Sequence, residues 1–346
     1  MNFKDFDAVI DARTPAEYAL DHIPGAVSAP VLDDAQRAEV GTLYKQVSPF
    51  EAKKLGAALI AQNVARHIEQ QFRGKDKNWR PLVYCWRGGK RSGAMAHILR
   101  EVGWDASTLE GGYRAYRRWV VDELATQPSR LDFIVVHGPT GSGKSRFLGA
   151  LAKAGAQVLD LEALAAHRGS VLGSLPNEPQ PSQKWFESQV LAELEKFERA
   201  KPVFVEAESK KIGQIQVPEA LMERMRASRC LTLDTDTATR VTLLLEEYRH
   251  FLEDRGALNA QLDCLVALHG RERINEWKAL AAAGKWHEFV ERLLAQHYDP
   301  AYRRSSTKNY PQLALAPSVR IASVEDLGVQ ASKHAHVLHR AAAESA

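Results

Sequence analysis

Short apolar runs alternate with helical stretches along most of the chain. Pro81-Leu82-Val83-Tyr84 reads as a strand, followed by the loop Cys85-Trp86-Arg87-Gly88-Gly89-Lys90-Arg91-Ser92 and a helical stretch from Gly93 to about Val102. A second strand–loop–helix pattern runs through Phe133-Ile134-Val135-Val136-His137, then Gly138-Pro139-Thr140-Gly141-Ser142-Gly143-Lys144-Ser145, then a helix to about Ala154. Between them Thr126-Gln127-Pro128-Ser129-Arg130 is polar and helix-breaking, so the domain boundary is expected there. Gln157–Asp160, Lys201–Glu206 and Arg229–Asp234 read as further strands. Between the first two of these, Phe186, Val190, Leu194 and Phe197 recur at helical spacing and predict an amphipathic helix. Strands alternating with helices imply α/β domains with parallel sheets covered on both faces. From about Ala238 to Tyr298 the pattern is mostly helical, and after Ser305 it is less regular.

Composition narrows the class. The 346 residues amount to about two domains at roughly 150 residues each. Lys+Arg 46 against Asp+Glu 43 leaves a net charge of +3, so no overall basic field announces a nucleic-acid binder, although a local patch fits within a near-neutral total. Apolar runs fall well short of the ~20 residues that span a bilayer. The opening MNFKDFDAVIDAR carries acids where a secretory leader has a basic and then an apolar run. Three widely spaced cysteines argue against a disulfide framework or structural zinc and for a reducing compartment. A cytoplasmic two-domain enzyme, with no membrane partner, is the expectation.

The loop at Cys85 carries the first candidate chemistry. A cysteine at a strand end, ahead of a glycine-containing loop and a helix, sits where backbone N–H groups and a helix N-terminus favour the thiolate. Arg87, Lys90 and Arg91 add positive charge. The same loop, Cys85 to Arg91 with Trp86, Gly88 and Gly89, forms an oxyanion cradle of a size to wrap a tetrahedral phosphate-like group. The bland alternative is a buried strand-end thiol.

Gly138 to Ser145 satisfies G-x-x-x-x-G-K-[ST] with a strand before it and a helix after it. Gly138, Thr140, Gly141, Ser142 and Gly143 present backbone donors to a di- or triphosphate. Lys144 supplies charge, and Ser145 is a candidate ligand for a Mg²⁺ ion bridging the phosphates. Glu206, Glu208 and Asp160 are candidates to support that metal, or are simply polar residues where strands meet loops. His167-Arg168-Gly169-Ser170 is a candidate to reach phosphates or an RNA backbone, or a capped loop. No tightly bound cofactor or dedicated protein metal site is expected.

Asp11-Ala12-Arg13-Thr14-Pro15-Ala16-Glu17-Tyr18 and Asp21-His22-Ile23-Pro24-Gly25-Ala26 resemble the opening signature of rhodanese domains, and Glu110-Gly111-Gly112-Tyr113 resembles their closing element. Cys-x5-Arg is longer than the common sulfurtransferase loop and favours a phosphate-like ligand. A rhodanese-like domain (1–125) followed by a P-loop NTPase-like parallel-sheet domain (131–346) with a mostly helical C-terminal part resembles the tRNA 2-selenouridine synthase family. Gly41-Thr42-Leu43-Tyr44-Lys45 and Glu206-Ala207-Glu208-Ser209-Lys210-Lys211-Ile212-Gly213 support that resemblance.

The resemblance implies a transferase that replaces the sulfur of 2-thiouridine, at the wobble position of tRNA, by selenium from selenophosphate. A prior S-geranylation with geranyl diphosphate is implied too, as is a partner that supplies selenophosphate. Cys85 then carries selenium as a selenosulfide or orients the donor, and the phosphate loop holds the departing diphosphate. No geranyl pocket is located; Leu172 and Leu175 are as well read as core. Arg114, Arg117, Lys210, Lys211, Arg303 and Arg304 are candidate tRNA contacts, with Arg118 and Lys308 beside them. Rival readings are a nucleotide-dependent kinase or ATPase with a phosphatase-like cysteine domain, a non-catalytic tRNA-binding protein, and a plain sulfurtransferase.

Overall fold

A computed structural model of the chain describes residues 1–170, 172–176 and 178–343, without the side chains of 304–308 and 336–343. The chain divides into two compact units: Met1–Glu123 with Ser182–Ala192, and Leu124–Pro181 with Glu193–Ala346. Both are built on parallel sheets, so the molecule is α/β.

The first unit has strands β1 (Ala8–Asp11), β2 (Val27–Ser28), β3 (Pro81–Tyr84) and β4 (Ser107–Thr108) in the order β2-β1-β3-β4. β1 and β3 run in register from Ala8 opposite Pro81 to Asp11 opposite Tyr84. β3 is buried along its whole length, as its unbroken apolar run requires of a central parallel strand. Val83, Met95, Leu99, Trp79 and Trp104 share one core with Ile10 and Val64. The helix Lys90–Val102 springs from the loop after β3 and ends on left-handed Gly103. Thr14 and Glu17 form a reciprocal capping box at the helix Pro15–Leu20.

The second unit has β5 (Phe133–His137), β6 (Gln157–Leu159), β7 (Val203–Glu206), the small antiparallel pair β8 (Lys211–Ile212) and β9 (Ile215–Gln216), β10 (Arg229–Thr235) and β11 (Ser318–Ile321). The five-stranded sheet runs β11-β10-β5-β7-β6. Fully buried β5 is central, so the loop at its C-terminal end lies between the ends of β7 and β10. Crevices of this kind, where the connections leave to opposite sides, are where open α/β sheets bind ligands. The helical segment beyond Thr237 builds a separate core around buried Trp277, Leu258, Leu262, Phe289 and Leu293.

Two regions depart from the pattern read off the sequence. The tail after Ser305 is not irregular: Ser318–Ile321 adds the edge strand β11, inserting Val319 and Ile321 into the core, and Asp326–Ala343 is helical. The helix Gln183–Leu194 starts within the first unit, where Ser188 Oγ donates to Asp21 Oδ1 at 2.8 Å and Trp185 stacks on His22 at 3.9 Å. Cys230 is buried, while Cys264 is exposed at the C-terminal end of the helix Arg255–Asp263. Among the described residues no helix is long and apolar enough to cross a membrane.

Candidate functional site

Cys85 stands just past the end of β3 and is 4% exposed. Burial alone would push its thiol up. Hydrogen bonds from the Ser92 hydroxyl and from the backbone N–H groups of Ser92, Gly89 and Arg87 outweigh that and hold it below the ordinary thiol range. Ser92 Oγ lies 3.2 Å from Cys85 Sγ and 3.2 Å from the Gly89 carbonyl. One hydroxyl proton serves either acceptor, and a negative sulfur is the stronger. No side chain caps the helix Lys90–Val102, so its first N–H groups remain for the sulfur and for an anion beside it.

The two sides of this loop are held from below. Gly112 has φ +57°, and a Cβ there would lie 2.2 Å from the Cys85 carbonyl oxygen. That closeness lets the N–H groups of Tyr113 and Arg114 donate to the carbonyls of Cys85 (2.8 Å) and Trp86 (3.1 Å). Beneath lies a buried network. Arg13 Nη2 donates to Asp11 Oδ2 at 2.6 Å and to the Asp21 carbonyl at 2.5 Å. The Tyr84 hydroxyl donates to Asp11 at 2.7 Å, and the Tyr113 hydroxyl to Asp21 at 2.7 Å. Tyr84 immediately precedes Cys85 and Tyr113 immediately follows Gly112, so the network sets both flanks of the loop.

The loop's cations divide. Arg91 is held bidentately by Glu17, at 2.7 and 3.3 Å, which ties the opening signature to the cysteine loop. Arg87 and Lys90 are exposed, and among the described residues neither side chain makes an ion pair. Trp86 is exposed and stacks on Tyr113 at 5.3 Å. Gly88 packs on the Leu109 carbonyl and Gly89 faces open space.

The phosphate loop follows β5. Left-handed Gly143 (φ +86°) precedes the helix Lys144–Lys153, which no side chain caps, leaving its N-terminal donors to an anion. Ser142 is buried and Thr235 Oγ1 donates to its carbonyl at 3.0 Å, while Gly141 lies against Leu244. Arg240 grips the Thr140 carbonyl at 2.9 and 2.8 Å and pairs with Asp299 at 2.6 Å. Lys144 Nζ donates to the Gly138 carbonyl at 3.0 Å and lies 3.5 Å from Glu206 Oε1. Gly138, Thr140, Gly141, Gly143, Lys144 and Glu206 line a cavity of about 660 Å³ with Glu162, Arg168, Ser170, Glu208, Tyr248 and Tyr302. That volume is within the ~300–1,000 Å³ of small-molecule sites.

Three carboxylates converge on that cavity: Glu162, Glu206 and Glu208 bring oxygens within 4.8 Å of one another. Ser145 Oγ sits between two of them, 3.1 Å from Glu206 and 3.2 Å from Glu162. Burial first, and then the charge of Glu206, pushes Glu162 and Glu208 above the carboxylate range. Burial raises Glu206 despite Lys144 and Ser145. Burial would lower Lys144, but Glu206 and Glu162 raise it.

Glu162 was not among the residues singled out from the sequence. It stands two positions beyond Asp160, the candidate chosen there, whose own side chain instead caps the helix Leu161–Leu164 by accepting from Ala163 at 2.9 Å. Arg168 lies over the Tyr248 ring at 4.9 Å and donates to the Glu247 carbonyl. Ser170 Oγ meets the Tyr248 hydroxyl at 3.2 Å. Buried His167 accepts from the Gly169 N–H at 3.1 Å and supports this loop without lining the cavity.

The candidate RNA contacts differ in what they offer. Arg114 and Lys211 are exposed. Arg117 is paired with Glu187 and bonded to the Lys184 carbonyl at 3.4 Å, and Lys210 is paired with Glu219 at 2.6 Å. Arg303 is exposed on the helix Asp299–Asn309, while the side chains of Arg304 and Lys308 lie outside the described residues. Of the aromatic side chains at the two sites, Trp86 alone is more than a third exposed.

Residues 1–118 match the Rhodanese-like domain, and residues 131–262 match the tRNA 2-selenouridine synthase AAA domain. A tRNA 2-selenouridine synthase of Nitrosomonas europaea is 38% identical over 244 residues, 69% of this chain. The match spans 63% of that relative's length. One of Shewanella halifaxensis is 32% identical over 324 residues, covering 85% of this chain and 87% of that protein. One of Marinobacter nauticus is 31% identical over 334 residues, covering 88% and 90%. The chain belongs to the tRNA 2-selenouridine synthase family.

Proposed function

We propose that the chain converts 2-thiouridine at the tRNA wobble position to 2-selenouridine in two group transfers. The observation that carries this reading is the presence, on one chain, of a thiol held low by an N–H-lined loop and of a phosphate loop closed by carboxylates. In the first transfer the thiocarbonyl sulfur attacks C1 of geranyl diphosphate, the C–O bond breaks and pyrophosphate departs. Lys144 and the N–H groups of Gly141 to Ser145 stabilise the charge that develops on the leaving group. In the second, the selenium of selenophosphate attacks C2 of the base, the C2–S bond breaks and the geranyl thiolate leaves, and water then cleaves the Se–P bond to release phosphate. The S-alkylated base is the better substrate, because a thiolate leaves more readily than the sulfur of a neutral thiocarbonyl.

The tetrahedral selenophosphate anion suits the cysteine loop, with Cys85 at its base and unpaired Arg87 and Lys90 at its rim. Three clustered carboxyls, those of Glu206 and Glu208 buried, facing one lysine repel a diphosphate unless a cation or protons offset them. Ser145, Glu162, Glu206 and Glu208 form an all-oxygen donor set that fits Mg²⁺, which when bound would neutralise phosphate charge. Exposed Arg114, Lys211 and Arg303 are the cations assigned to the tRNA backbone.

The test is nucleoside mass spectrometry of 2-thiouridine tRNA incubated with the protein, geranyl diphosphate and selenophosphate, separately and together. A geranylated nucleoside with the first alone and a selenium isotope pattern with both are expected. Unchanged thiouridine in every arm, with ATP hydrolysed in parallel, would instead favour the kinase-like rival.

A further inference from the structure

Trp86 directly follows Cys85, yet the thiol is buried while the indole is 38% exposed. That exposure does not come from a loose side chain. One face of the ring stacks on Tyr113, with centres 5.3 Å apart and planes 29° apart. Tyr113 is buried and fixed: its hydroxyl donates to Asp21 Oδ2 at 2.7 Å, and the Arg13 guanidinium lies 3.9 Å from its ring centre. The backbone of Trp86 is held as well, its carbonyl accepting from the Arg114 N–H at 3.1 Å. The result is a rigid indole with one face backed and the other in solvent. A Cβ on Gly89 would meet nothing within 4 Å, so the loop beside the sulfur is open too. Cations outnumber acids along the two adjoining segments: residues 86–90 and 110–118 expose Arg87, Lys90, Arg114 and Arg118 against Glu110. Arg114 and Arg118 stand one turn apart on the helix Gly112–Thr126.

We infer that Trp86 is the platform on which the wobble base of the tRNA stacks when its C2 is brought to the cysteine loop. The inference rests on the assignment of that base to this loop. Proteins hold unpaired nucleotides by stacking bases on aromatic rings while cations follow the phosphates, and a flat open indole among arginines and a lysine offers both. A hydrocarbon chain is served by an enclosed pocket, not by a single open face, and it has no use for the surrounding charge. Stacking also offsets what the base loses on leaving its neighbours in the anticodon loop. It engages the plane of the ring and not its edges, so the same indole accepts the base whatever atom C2 carries. Buried Tyr113 and the network under it then have a second consequence: they fix the indole plane, and with it the plane of the base, relative to the sulfur.

The experiment is fluorescence anisotropy of a labelled anticodon stem–loop RNA with 2-thiouridine at the wobble position, titrated with the full chain. The same RNA with an abasic ribose at that position is titrated beside it. The unaltered protein should bind the thiouridine RNA about tenfold more tightly than the abasic one, as one base stacked on an aromatic ring provides. Trp86→Ala should bring the two to within about twofold, weakening the first and leaving the abasic RNA where it was. Trp86→Phe, which keeps a stacking ring, should retain most of the difference. Equal affinities in the unaltered protein would overturn the platform and leave the tRNA reading standing. A difference that survives Trp86→Ala would put the base elsewhere and overturn it as well. So would a loss in Trp86→Ala that is equal for both RNAs, since the indole would then touch another part of the RNA. Binding of neither RNA at low salt would overturn the platform together with the assignment of the tRNA to this loop.

Discussion

Burial is the largest single influence on the Cys85 thiol and pushes it up, yet four hydrogen bonds converging on its sulfur together outweigh it and hold the thiol below the usual range. Alkylation by iodoacetamide should therefore reach half its maximal rate at a pH below the free-thiol value. Ser92→Ala removes the hydroxyl donor at 3.2 Å and should move that midpoint upward, slowing alkylation at pH 7 severalfold; an unmoved midpoint would mean the backbone donors suffice. Cys85, Lys144 and Ser145 were legible in the sequence because each sits in a contiguous pattern whose spacing is its geometry. Glu162 was not, since it reaches Ser145 only when β6 lies beside β7, and nothing in its neighbours announces that. Nor was the pairing of Arg91 with Glu17, 74 positions apart.

At the scale of elements, the buried Arg13–Asp11 pair joins β1 to the flank of the cysteine loop. Arg13→Met would strand the Asp11 carboxylate and should lower unfolding stability by about 3–5 kcal/mol in urea melts. Retention of wild-type stability would show the network to be dispensable. His137, last residue of β5, is buried with neither ring nitrogen bonded among the described residues, and burial and then Lys144 pull it down to about 4. Between the ordinary imidazole value and about 4, the unfolded chain binds a proton that the folded chain does not. Stability therefore falls as pH drops through that window, by about 3 kcal/mol at most. His137→Phe, which keeps the edge contact with Tyr310, should flatten that part of the profile in melts across pH 4 to 7. Fully buried strands such as β3 and β5 could be read from their runs. β11 could not: its alternation of Val319 and Ile321 with Ser318 and Arg320 is too short to stand out, and the sheet edge gives it meaning.

At the scale of the whole molecule, each unit ends an interior parallel strand in a glycine-containing loop and a helix N-terminus with no side-chain cap, so one backbone solution recurs at both loops. The order of the two units along the chain was legible from their loops. The return of Ser182–Ala192 to the first unit was not, because the helix periodicity there says which face is buried and not against what. Lys144→Ala should lower geranyl transfer by at least a hundredfold, read as geranylated nucleoside per minute, if the lysine stabilises departing pyrophosphate. The most direct measurement is nucleoside mass spectrometry of 2-thiouridine tRNA treated with Cys85→Ala protein, geranyl diphosphate and selenophosphate. Geranylated nucleoside should accumulate with no selenium isotope pattern. Loss of geranylation in folded Cys85→Ala protein, or selenium incorporated without the thiol, would contradict the division of labour between the two loops.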